Sequence, residues 1–196
     1  MKRIVVLVSG GGSNLQALID ACADGRIAGD IVLVLSNRAD AYALQRANRA
    51  GIAVSLKTLG SERAKGGTRQ SYDFAVAQEV APARPDLVVL AGWMHVFSPA
   101  FLDCCGSKVI NLHPALPGMF PGTRAIERAL EAFERGDITE TGVMVHEVIP
   151  EVDAGPVLGT ARVVILPTDD IETLSARMHA AEHRLLVEVV AALTLA

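Results

Sequence analysis

Short, contiguous apolar runs rich in β-branched residues recur along the chain at 4–8, 31–35, 52–56, 87–90 and 109–112. Runs of this length and character read as strands covered on both faces. Between the first two, Leu15, Leu18, Ile19 and Cys22 repeat at i, i+3, i+4 and i+7, which is one apolar helix face. Residues 41–50 and 72–80 carry helical patterns in later gaps. A strand–helix–strand order of this kind closes through right-handed crossovers, so the expected architecture is α/β, a mainly parallel twisted sheet flanked by helices. Further on, 142–149 and 157–165 flank a turn and read as an antiparallel pair. A long closing helix is expected over 168–195, with Thr168 as its cap and Asp169, Asp170 and Glu172 at its positive end. The segment 59–69, with Gly66-Gly67, is the expected mobile loop.

Composition narrows the partners. A length of 196 residues suits one domain. The net charge is −4 and no cluster of Lys and Arg stands out, which argues against a nucleic-acid binder. Cys22, Cys104 and Cys105 have the spacing of neither a disulfide framework nor a zinc site, so reduced thiols in a cytoplasmic protein are expected. The apolar run at 4–8 is too short for a signal peptide or a membrane span. No His, Cys and carboxylate cluster has metal-ligand spacing, so no metal is expected. Composition leaves both a monomer and a homodimer open.

The sequence Ser9-Gly10-Gly11-Gly12-Ser13-Asn14 lies where the first strand gives way to the first helix. In a parallel sheet that turn sits beyond the carboxyl end of the strand, where ligands collect. Glycines let backbone N–H groups approach an anion, and the helix N-terminus adds free N–H groups and a positive dipole end. A dinucleotide fingerprint would need glycine where Leu15 stands and an acidic residue near Ser36, Asn37 and Arg38. A P-loop would need Gly-Lys-Ser/Thr after the glycines. A monophosphate site survives these exclusions, beside the plainer reading of a tight turn with Ser13 as helix N-cap.

A second constellation begins at Asn111-Leu112-His113-Pro114, where two polar residues two apart at a strand end can face the same side. Asp153 follows in a loop bounded by Pro150, Gly155 and Pro156. An amide, an imidazole and a carboxylate suit acyl transfer: a donor for an oxyanion, a proton donor, and a charge that favours imidazolium. Leu90, Val96 and Phe97 could wall an apolar pocket beside them or belong to the core.

Taken together, "SGGGSN", "AGWMHVFSP", "NLHPALPG" and "HEVIPEVDAGPV" resemble the folate-dependent formyltransferases over essentially the whole chain, and the first of these motifs points to the phosphoribosylglycinamide formyltransferase branch. The resemblance implies a Rossmann-like formyltransferase fold and transfer of formyl from 10-formyltetrahydrofolate to the amine of glycinamide ribonucleotide. It implies a mainly phosphate-binding half over 1–100 and a mainly catalytic and folate-binding half over 101–196. Carried over by position, Gly12, Ser13 and Asn14 hold the ribonucleotide phosphate, and Glu182 lies near its amine and sugar. Arg69, Met94, His95, Val96 and Phe97 meet the formyl-folate together with Asn111. Asn111 and His113 form the catalytic pair, and Asp153 tunes the histidine. Arg124 stands where a histidine is common, and the stretch after Pro121 is longer than usual. A folate-deformylating hydrolase and a non-catalytic nucleotide-binding domain are the alternatives.

Overall fold

The computed structural model describes residues 1–195. Strands β1 (Lys2–Val8), β2 (Gly29–Ser36), β3 (Val54–Leu56), β4 (Leu87–Leu90), β5 (Lys108–His113), β6 (Glu140–Glu147) and β7 (Val157–Val164) form one sheet in the order β3-β2-β1-β4-β5-β6-β7. The first five strands in that order pair in parallel; β5–β6 and β6–β7 are antiparallel. Helices α1 (Ser13–Ala23), α2 (Tyr42–Arg49), α3 (Leu59–Ala64), α4 (Arg69–Val80), α5 (Pro99–Cys105), α6 (Ala125–Glu134) and α7 (Ile171–Leu195) cover it.

The contiguous apolar strands are explained by what covers each face. In β1, Ile4, Val6 and Val8 join a core with residues of α1, α6 and α7, while Val5 and Leu7 join a second core with α4 and α5. Successive side chains of a strand point to opposite faces, so a strand with both faces covered must be apolar at every position. The strand order reverses between β1 and β4, and the loops after β1, β4 and β5 gather at that end of the sheet. They are tied together: the Ser9 amide donates to the Gly92 carbonyl (3.1 Å) and the Met94 amide to Ser9 Oγ (2.9 Å). Among the described residues no helix is long and apolar enough to cross a membrane.

Two local expectations change. The segment 59–69 is not an open loop: Thr58 Oγ1 caps α3 by accepting from the Ser61 amide, and Thr68 with Ser71 forms a reciprocal capping box at α4. The long helix begins at Ile171, not at 168. Its first turn is held by Asp170, whose Oδ1 accepts from the Thr173 amide at 2.8 Å, while Asp169 pairs with Arg177. Asp170 occupies the capping role expected of Thr168 because its carboxylate also neutralises the positive helix end.

Candidate active site

Asn111 and His113 project from the carboxyl end of β5, and β6 runs antiparallel beside it with Asn111 directly opposite His146. The loop after β6 folds back and delivers Asp153, whose backbone is left-handed (φ 53°). Glycine is required two residues on, because a Cβ on Gly155 would run into the Glu147 carbonyl oxygen. Asp153 Oδ2 accepts from the Gly122 amide at 2.8 Å and lies 3.3 Å from His113 Nδ1. Its Oδ1 accepts from Asn111 Nδ2 at 3.3 Å and lies 3.5 Å from His146 Nε2. One carboxylate thus ties β5, the loop after β6 and the 118–124 turn to a common point.

His146 belongs to this cluster and was missed in the sequence. Its Nδ1 faces the Glu147 carbonyl at 2.8 Å and its Nε2 lies 3.2 Å from Asn111 Nδ2. The proton therefore sits on Nδ1, and Nε2 accepts from the asparagine amide, a tautomer assigned from the hydrogen-bond pattern. The signal was the β5–β6 register, which cannot be drawn before both strands are paired.

The electrostatics correct one expectation. Burial is the largest influence on His113 and pushes its pKa below the ordinary value; Asp153 and the Phe120 carbonyl, 3.1 Å from Nε2, act the other way without prevailing. Asp153 thus pulls in the expected direction, but burial outweighs it, and neutral imidazole dominates at neutral pH. For Asp153, burial raises the carboxyl, yet hydrogen bonding and the two histidines carry it below its usual range. With its proton on Nδ1, His146 has none on Nε2 to give Asp153, so the Gly122 amide is the firmer hydrogen-bond cause.

Beside the cluster opens a cavity of about 230 Å³, lined by Leu90, Trp93, Met94, Val96, Phe97 and Val152 among others, with Asn111, His113 and Asp153 on its wall. Phe97 is stacked between Trp93 and Phe101 (ring centroids 5.4 and 3.6 Å away). Met94 and Val96 are exposed. Arg124 also lines the cavity, with a left-handed backbone at the start of α6. Arg69 stands next to the cavity lip: Nε pairs with Asp73 Oδ1 at 2.9 Å and the guanidinium donates to the Val96 carbonyl. Its side chain stays partly exposed beside Val96, at the edge of the cavity.

At the glycine turn, Gly12 (φ +73°) precedes α1 and Ser13 is its first residue, with no side-chain cap, so Ser13 is not the N-cap. A Cβ on Gly12 would sit 2.6 Å from Ala43 Cβ, which means that this glycine is demanded by the packing of α2. Gly10 and Gly11 have nothing within 4 Å of their Cβ positions and face open space. Arg46 of α2 donates Nε to the Gly11 carbonyl (2.8 Å) and a second N–H to Gln16 Oε1 (3.1 Å), placing a cation beside the turn. Asn14 Nδ2 donates to Glu182 Oε2 at 2.9 Å, linking the turn to α7. Burial raises the Glu182 carboxyl, against the pull of Asn14 and His179. Among the described residues no group of His, Cys, Asp and Glu is arranged to hold a metal.

The family model described as formyl transferase matches residues 2–190. The chain belongs to the formyl transferase family. It is 49% identical over 198 residues to the phosphoribosylglycinamide formyltransferase of Schizosaccharomyces pombe, covering 97% of this chain and 96% of that protein. It is 41% identical over 181 residues to the Escherichia coli protein of the same name, covering 92% and 82%. The crystal structure of glycinamide ribonucleotide transformylase 1 from Symbiobacterium toebii superposes with a TM-score of 0.90 at 39% identity, covering 97% and 86%. The one mainly parallel sheet, its antiparallel end and the long C-terminal helix are thus a formyl transferase fold.

Proposed function

We infer that this formyl transferase acts in purine biosynthesis, moving the formyl group of 10-formyltetrahydrofolate to the primary amine of glycinamide ribonucleotide in the cytoplasm. The observation that carries the reading is the convergence of Asn111, His113 and Asp153 within 3.3 Å contacts on the wall of an apolar cavity. The cavity takes the flat pterin, with its apolar lip at Met94 and Val96 against the rings. The ribonucleotide enters from the glycine turn, its phosphate at Gly12, Ser13 and Asn14 and its sugar near Glu182.

The amine attacks the formyl carbon, a C–N bond forms, and the carbonyl oxygen becomes an oxyanion. Asn111 and His113 donate to it. Each does so by exchanging a contact: Asn111 gives up the 3.3 Å bond to Asp153, the longer of its two, and His113 gives up the Phe120 carbonyl. Asp153 keeps the imidazole oriented and stabilises the positive charge on it when it takes up the proton lost by the amine. The imidazolium then passes that proton to the folate nitrogen as the oxyanion re-forms the carbonyl and the bond from formyl carbon to that nitrogen breaks, which returns His113 to its neutral form. No covalent enzyme intermediate is needed. Incubation with donor carrying a ¹³C-labelled formyl group tests this: the label is expected on the ribonucleotide amine. Label recovered only as free formate would overturn it.

A further inference from the structure

We propose that Arg46 is a positioning residue for the acceptor: it holds the Gly11 carbonyl on the α2 side of the glycine turn and so aims the Gly12 N–H at the ribonucleotide phosphate. The proposal rests on the reading of this turn as the phosphate site.

Gly10, Gly11 and Gly12 are backbone with few steric limits, so their peptide planes can rotate at little cost. An anion site built from N–H groups needs those planes fixed beforehand, because ordering them on binding subtracts from affinity. The fixing comes from α2. The Ala43 amide donates to the Gly10 carbonyl at 3.1 Å, and Arg46 Nε donates to the Gly11 carbonyl at 2.8 Å. In a planar trans peptide the carbonyl and the following N–H point in opposite directions. With both carbonyls drawn toward α2, the Gly11 and Gly12 N–H groups face away from it. Among the described residues neither N–H has a backbone acceptor. The Gly12 Cβ position marks the side on which α2 lies: it would meet Ala43 and, at 3.4 Å, Arg46 Cδ.

Arg46 is itself held in place. A second N–H reaches Gln16 Oε1 in the first turn of α1 at 3.1 Å, and the guanidinium lies over the Tyr42 ring, 5.0 Å from its centroid. A guanidinium fork can hold the turn and the helix at once, which a single ammonium cannot do in the same geometry. These partners, a carbonyl, an amide and an aromatic face, are all neutral, so none of them cancels the charge. A cation on the Gly11 carbonyl also polarises that peptide and makes the Gly12 N–H a stronger donor. Packing of α2 does not call for an arginine here, since the buried residues of α2 are Ala43 and Ala47.

Arg46→Met keeps the aliphatic stem and removes both donors. Calorimetric titration with glycinamide ribonucleotide should show binding weakened roughly 10- to 150-fold, the value of one hydrogen bond to a charged group. In steady-state kinetics the loss should fall on the ribonucleotide KM, with kcat and the donor KM near wild type, because the phosphate is remote from the reacting amine. NMR of the ligand-free variant reads the positioning itself: the Gly11 carbonyl carbon and the Gly12 amide nitrogen should move from their wild-type shifts. Weaker binding with both resonances unmoved would make Arg46 a direct contact and overturn the proposal, as would moved resonances with unchanged affinity. Parallel loss of donor affinity would also overturn it, as general structural damage. Arg46→Lys keeps the charge without the fork and should stay impaired; wild-type affinity there would assign the effect to charge alone, against the proposal. The wild-type protein tests the phosphate reading separately, since saturating ribonucleotide should move the Gly12 amide resonance. Saturation that leaves it unmoved would sink that reading, and the proposal with it.

Discussion

Gly11 and Gly12 are adjacent, yet the structure gives them separable consequences. Gly12→Ala places a methyl group 2.6 Å from Ala43 Cβ and 2.8 Å from its Cα, at φ +73°. A left-handed L-residue costs roughly 1–2 kcal/mol. Overpacking against a helix backbone adds about 1–3 kcal/mol. The sum, ~2–5 kcal/mol, should lower the melting temperature by roughly 4–20 °C in a chain of this size. Gly11→Ala meets nothing within 4 Å. Its effect on stability should stay within about 0.5 kcal/mol. If the turn holds the ribonucleotide phosphate, however, the new methyl group obstructs one amide-to-phosphate hydrogen bond. A hydrogen bond to a charged group is worth about 1.5–3 kcal/mol, or roughly 10- to 150-fold in affinity. Calorimetric titration with glycinamide ribonucleotide, and with donor as control, alongside thermal unfolding of both variants, reads these effects separately. An unchanged ribonucleotide affinity in Gly11→Ala would refute the phosphate assignment. An unchanged melting temperature in Gly12→Ala would refute the packing argument.

Asn111→Ala and His113→Ala should each lose ~100- to 1,000-fold in turnover with modest KM changes, and the double variant less than the product, because both serve one oxyanion; near wild-type kcat in either removes that residue from the chemistry. Asp153→Asn should lower the His113 pKa further, since the Asp153 charge opposes the effect of burial; NMR titration of the ring protons, assigned against His113→Ala, checks it, and an unchanged or raised value contradicts the tuning role. The depressed His113 pKa also sets a sign for stability. Above its ordinary value of 6.5 the imidazole is neutral in both states, and below it the unfolded chain takes the proton first. Stability should therefore fall as pH drops from 6.5 toward the folded-state pKa, and less so in His113→Gln; denaturant midpoints across that window that shift identically in both proteins would contradict it.

Most strands were legible because both faces are buried, which leaves an unbroken apolar run such as 4–8 as a direct trace in the sequence. Helices α5 and α6 were not read: α5 is a single short stretch opened by Pro99, and α6 buries mainly alanines, Ala125, Ala129 and Ala132, which leave a weak periodic signal. The 59–69 segment misled because its glycines outweighed two threonine caps. Asn111 and His113 were legible from a spacing of two at a strand end, and Asp153 from its Gly- and Pro-bounded loop. His146 was not, since its place depends on which residue of β5 it faces. Nor was the close approach of Ala43, distant in sequence, to Gly12. The partners of Arg69, Asp73 and the Val96 carbonyl, become visible only once α4 packs against the loop after β4.

The central claim is that the Asn111–His113–Asp153 cluster transfers formyl to an amine and does not release it to water. Following tetrahydrofolate formation from 10-formyltetrahydrofolate by absorbance, with and without glycinamide ribonucleotide, tests it directly. The expected result is negligible conversion without the ribonucleotide and, with it, one formylated ribonucleotide per tetrahydrofolate formed. Equal conversion rates with and without the acceptor would make the site a hydrolase, and no conversion in either case would leave only a binding domain.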